Sequence, residues 1–130
     1  MINFKYGTEP IYTINQVSEI THLSKPTIRY YEDIGLLSNI IRDKNNIRLF
    51  SDDNIMRLRM IQCLRSTGMG IEVIRHYIDI SNENPMSVDE RYSIIIQQEK
   101  ILLEKKDEIE EQLAFIQHKK LNCEEELRSK

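Results

Sequence analysis

The chain has 130 residues, a formal net charge of −3, 30% charged and 7% aromatic residues, no Trp and two Cys. That length suits one compact domain, or a small domain with one long appendage. No apolar run approaches the roughly 20 residues a membrane span needs, and MINFKYGTEP lacks the apolar segment of a signal peptide, so the chain reads as cytoplasmic. Cys63 and Cys123 lie far apart, with neither CxxC nor paired histidines. A structural disulfide, a zinc site or any other metal cofactor is therefore not expected. There is no Gly-rich phosphate loop, no HExxH and no nucleophile–base pair at recognisable spacing, which argues against an enzyme.

Residues 1–80 hold ten Lys and Arg against nine Asp and Glu, whereas residues 81–130 hold eight against twelve. Groups able to meet phosphate thus sit in the first part and the acid in the second. Binding follows where charge is placed, not the whole-chain balance.

Residues 1–11 carry no periodic pattern and read as a flexible N-terminal arm. In YTINQV, Thr13 is an N-cap with Gln16 as its reciprocal partner, opening a helix over 14–21 with Ile14, Val17 and Ile20 inward. Ser24 caps a second helix over 25–34, with Pro26 in its first turn, where a missing N–H costs little, and Gly35 as its stop. Two short helices joined by a few residues make a helix-turn-helix.

The segment LLSNIIRDKNNIRLF then changes period: two short β-prone runs flank DKNN, a hairpin that forms a wing. Ser51 caps a third helix, with Asp52 and Asp53 favourable against its dipole. Ile55, Leu58, Ile61, Leu64 and Met60 form its inner stripe, Gly68 ends it, and a fourth helix covers 71–80.

SNENP lies in a linker, 81–87, and Ser87 with Glu90 opens a last helix over 88–128 without Pro or Gly. Ile95, Leu102, Ile109 and Ile116 recur every seven residues, with Val88 and Cys123 in the same register and Tyr92, Leu113 and Leu127 at the companion position. Such a heptad series flanked by charge predicts a coiled-coil seam, with Ile95, Leu102, Ile109, Leu113 and Ile116 as dimerisation residues. A polar helix of that length, about 60 Å, cannot bury its stripe on so small a domain, so pairing with a second copy is expected.

A helix lying in a major groove needs an exposed face of donors for phosphate and base edges. Lys25, Thr27 and Arg29 supply it in the second helix, and Tyr30 and Tyr31 add flat surface with a hydroxyl, while Ile28 and Leu36 face the core. One tyrosine in the core and Arg29 paired with Glu32 or Asp33 is the purely structural alternative. Arg42, Lys44 and Arg48 of the wing suit phosphate or minor-groove contact.

YTINQVSEITHLSKPTIRYYEDIGLL, followed by NIRLFSDDNIMRLRMIQCLRSTGMGIEVIRHYI, resembles the winged-helix DNA-binding domain of MerR-type bacterial regulators over residues 12–80. His22 departs from the Gly many members carry in the turn, and Asn46-Ile47 from a common Gly-Tyr in the wing. The resemblance implies a mainly α fold: a winged helix-turn-helix followed by a long C-terminal helix for antiparallel coiled-coil dimerisation. It further implies a homodimer on double-stranded promoter DNA, distorting an over-long spacer so that RNA polymerase can engage, which is indirect readout of DNA deformability. Metal-sensing members carry cysteines after the dimerisation helix, whereas this sequence runs out as EEELRSK with Cys123 inside the helix. IQCLRSTG is similar to the thiol-based, aldehyde- and electrophile-responsive subgroup, whose stress response rests on one cysteine, here Cys63. A small buried hydrophobe is the alternative for Cys63, and an effector-independent repressor or architectural DNA-binding protein the alternative for the chain.

Overall fold

A computed structural model describes residues 7–38, 40–78 and 86–130. In chain order the elements are α1 (Ile14–Thr21), α2 (Lys25–Asp33), β1 (Ile41–Arg42), β2 (Arg48–Leu49), α3 (Asp52–Ser66), α4 (Ile71–Ile78) and α5 (Val88–Arg128). The fold is mainly α, a helix-turn-helix with a wing followed by a long helix. The chain divides into two units, Met1–Arg91 and Tyr92–Lys130.

Three helices of the first unit begin where a short polar side chain satisfies orphan backbone donors. Thr13 and Gln16 form a capping box on α1, Ser24 accepts from the Thr27 N–H of α2, and Ser51 and Asn54 form a second box on α3. Gly35, after α2, has φ +83°, a left-handed conformation that releases the chain toward the wing. His22 ends α1 at φ 61°, and its N–H reaches the Ser18 carbonyl.

The wing is a two-stranded antiparallel ribbon in which Ile41 faces Leu49 and Arg42 faces Arg48. Asp43 shapes its turn: Oδ1 accepts from the backbone N–H of Asn45 at 2.8 Å and of Ile47 at 3.0 Å. Asn46 takes φ 61° there, as an Asn in a hairpin turn readily does. Tyr12 bridges to Phe50 next to β2.

Val17, Ile28, Leu36, Phe50, Leu58, Ile61 and Ile74 are fully buried, and they draw α1 to α4 and the segments flanking the wing into the core of the first unit. Several expectations for individual positions are corrected. Ile20 is exposed, and Thr21 takes the inner position with its hydroxyl donating to the Val17 carbonyl at 2.8 Å. Met60 is exposed and Leu64 half-buried. Near the start of the described residues, Gly7 accepts from the Asp53 N–H, and the N–H groups of Ile11 and Tyr12 both reach the Phe50 carbonyl at 2.9 Å. Residues 1–6, the last two positions expected in the fourth helix and SNENP lie outside the described residues.

Helix α5 runs unbroken for 41 residues from Ser87, whose hydroxyl accepts from the Glu90 N–H at 3.2 Å. None of its residues is buried.

Candidate nucleic-acid interface

Helix α2 separates its residues by face. Ile28 and Tyr31, one turn apart, point into the core, and Tyr31 is 9% exposed. Lys25 and Arg29, four residues apart, share an outer stripe, and Tyr30 beside them is 49% exposed. The rings of Tyr30 and Tyr31 lie 5.9 Å apart at 50°. Of the two adjacent tyrosines, then, Tyr31 anchors the helix and Tyr30 presents its ring outward. Tyr31 was expected on the binding surface with its neighbours, but its spacing from Ile28 places the ring inside.

Thr27 is half-buried, and its hydroxyl shares a hydrogen bond of 2.7 Å with that of Ser24 at the cap. Lys25, Arg29 and Lys44 are exposed and make no ion pair among the described residues. Arg29 therefore does not join Glu32 or Asp33 on its own helix. Glu32 instead binds across the fold, accepting from Arg48 Nε at 2.8 Å. Arg42 is exposed and donates through Nη1 to the Asn46 carbonyl at 3.2 Å, bracing the wing turn. Of the eight candidates for this surface, Lys25, Arg29, Tyr30, Arg42 and Lys44 stand open, Thr27 caps, Tyr31 is core, and Arg48 is tied to Glu32.

Two acidic side chains at the start of α3 have structural partners. Asp53 accepts from Arg57 Nε at 3.1 Å, and Asp52 accepts from the Tyr12 hydroxyl at 2.7 Å. That hydrogen bond, with lesser help from desolvation and the Asp52 charge, raises the Tyr12 pKa above the ordinary tyrosine value.

Cys63 and Cys123 are free and exposed, so Cys63 is not the small buried hydrophobe that an amphipathic helix often carries. Among the described residues no group of three His, Cys, Asp or Glu could hold a metal ion, and no helix is long and apolar enough to cross a membrane. In the sequence Glu32 stands out only as a partner for Arg29, and neither Asn54 nor Asp43 stands out. The DKNN turn carried a signal for Asp43, because Asp at the start of a tight turn accepts backbone N–H groups.

A capped helix-turn-helix with an open basic stripe, braced against a basic two-stranded wing, defines the winged helix-turn-helix class. The sequence profile described as MerR HTH family regulatory protein matches residues 12–80. The chain belongs to that family, whose members are DNA-binding transcriptional regulators. It is 30% identical over 108 residues to an HTH-type transcriptional regulator of Haemophilus influenzae, covering 83% of this chain and 80% of that protein. It is 31% identical over 91 residues to the HTH-type transcriptional regulator AdhR of Bacillus subtilis, covering 70% of this chain and 65% of AdhR. In structure it is similar to HiNmlR, a MerR family regulator lacking the sensor domain, solved bound to promoter DNA. The TM-score is 0.71 at 30% identity, over 83% of this chain and 86% of that one.

Proposed function

We propose that this chain binds promoter DNA in the cytoplasm as a homodimer, with α2 in the major groove and the wing on the flanking backbone, and controls transcription by RNA polymerase through distortion of the promoter spacer. The observation that carries the reading is the outer stripe of α2. Lys25 and Arg29 are exposed beside Tyr30 without an internal counter-charge among the described residues, and a charge left unpaired on a rigid helix is available to phosphate or a base edge. HiNmlR, solved on promoter DNA, supports it.

Pairing is assigned to α5. Ile95, Leu102, Ile109, Leu113 and Ile116 lie 39% to 59% exposed on one seam, an arrangement that a second copy would bury. The domain reading that goes with this is an N-terminal arm to residue 11, a DNA-binding domain over 12–80, a linker over 81–87 and a dimerisation helix over 88–128.

Signal reception is assigned to Cys63, whose thiol is exposed on α3. Attack of its thiolate on an aldehyde carbon forms a C–S bond as the C=O π bond breaks; the electron pair goes to oxygen, which takes a proton from water, and the resulting hemithioacetal changes the bulk and polarity of this helix surface.

Footprinting on the DNA upstream of the protein's own gene, with and without formaldehyde or diamide, tests all three parts. A protected near-palindrome whose pattern changes with electrophile in the native protein and not in Cys63→Ala supports the reading. A footprint that ignores electrophile leaves an effector-independent repressor or architectural protein, and the absence of any footprint removes DNA binding.

A further inference from the structure

The wing carries an arrangement that costs it stability on its own. Arg42 and Arg48 face each other across the two strands, and like charges directly opposite on one face of an antiparallel pair repel. Among the described residues only Arg48 of the two has an acidic partner. It donates through Nε to Glu32 Oε2 at 2.8 Å, the two side chains being 21% and 23% exposed. This single bond occupies one edge of a planar fork that holds five N–H donors. Nη1 and Nη2 of Arg48 have no partner among the described residues. Arg42 likewise spends one N–H on the Asn46 carbonyl, at 3.2 Å, and makes no ion pair among the described residues.

An arginine gripped by Nε and free at Nη is held so that its remaining donors point in a fixed direction. We propose that Glu32 is a positioning residue of the binding face: it locks Arg48 by the Nε edge so that the Nη groups, beside Arg42, take a DNA backbone phosphate. Glu32 lies on α2, so the same bond fixes the wing's phosphate contact relative to the helix that enters the groove. Ordering the side chain before DNA arrives removes the rotamer entropy that a free Arg48 would lose on binding. Phosphate then supplies the second counter-charge, since the one Glu32 carboxylate offsets only one of the two opposed arginines. This inference rests on the DNA-binding reading above.

The test measures affinity for the upstream duplex as a function of salt, using the full-length protein, Arg48→Ala, Glu32→Gln and the double variant, with urea unfolding of each as a control. Each phosphate contact contributes about 0.9 to the slope of log K against log salt. Arg48→Ala is expected to lower that slope by about one per chain and the affinity about 10-fold. Glu32→Gln is expected to weaken binding several-fold and to leave the slope unchanged, since the phosphate contact persists but is no longer ordered. In the Arg48→Ala background Glu32→Gln is expected to add nothing, whereas general damage to the fold would persist there. Glu32→Gln binding as tightly as the native protein, or an unchanged slope in Arg48→Ala, overturns the proposal. A native protein that binds no DNA overturns the underlying reading together with it.

Discussion

Asn54, fully buried at the start of α3, donates through Nδ2 to the backbone carbonyl of Ser38 at 2.8 Å. Its Oδ1 accepts from the Ser51 N–H at 3.0 Å and from the Ser51 hydroxyl at 3.1 Å. One side chain thus caps its own helix and secures the segment that leads from α2 into the wing. Asn54→Ala removes the partner of the half-buried Ser38 carbonyl and of the buried Ser51 N–H, and is expected to cost about 2–3 kcal/mol. Asn54→Asp keeps the acceptor but loses the donor and buries a charge, so its loss should be at least as large. Urea unfolding followed by circular dichroism measures both.

His22 closes α1 at φ 61°, where a Cβ crowds the following carbonyl. His22→Gly should relieve that strain and raise stability by about 0.5–1 kcal/mol, less the entropy that Gly adds to the unfolded chain. Asn46→Gly, at the same φ of 61° in the wing turn, should gain less, because Asn visits this region more easily. Thermal midpoints of the two variants give the comparison.

What could be read in advance was what neighbours in sequence decide. The Thr13–Gln16 box, the Ser24 and Ser51 caps and the stop at Gly35 each depend on residues within one helical turn, and each is present. Helix α1 spans only eight residues, too few for spacing to separate Ile20 from Thr21 as the inward residue. The Glu32–Arg48 and Asn54–Ser38 bonds each join residues sixteen apart, and charge or amide content alone does not name a partner at that range. Tyr31 was legible in principle, three residues after buried Ile28, but a hydroxyl beside Tyr30 weighs toward the surface in any reading of types.

Tyr12 provides a pH-dependent test of how the N-terminal segment is anchored. Its hydroxyl donates to Asp52 Oδ1 at 2.7 Å, and this bond raises its pKa. Since the folded-state pKa lies above the unfolded one, the fold favours the protonated hydroxyl. Its contribution is whole below the unfolded value of about 10 and is lost as pH rises through the folded value. The stability advantage of the native protein over Tyr12→Phe should therefore be constant through neutral pH and fade on the alkaline side. Paired urea titrations on both proteins show whether it does.

Arg29 stands exposed on α2 with no ion pair among the described residues. Its removal should leave folding intact and weaken DNA binding. Arg29→Ala is expected to cost about 1–3 kcal/mol of affinity for the upstream duplex, with an unfolding midpoint within error of the native protein. Equal affinity by fluorescence anisotropy would show that α2 does not read DNA through this side chain.

Ile109 lies near the middle of α5, 53% exposed on the stripe proposed for pairing with Leu102, Leu113 and Ile116. In an antiparallel pair of equal helices the midpoint of one meets the midpoint of the other, so a single substitution there acts twice. Ile109→Lys would set two ammonium groups close together in an otherwise apolar contact and is expected to yield a monomer at micromolar concentration. Because α5 buries no residue within its own chain, the proposed pairing is expected to support its helicity, and far-UV circular dichroism should fall with the mass. Glu111→Lys, two residues on and off the seam, is also an exposed position and should change neither. Sedimentation velocity on the two variants decides the matter: an Ile109→Lys dimer as tight as the native one would move the interface away from this stripe.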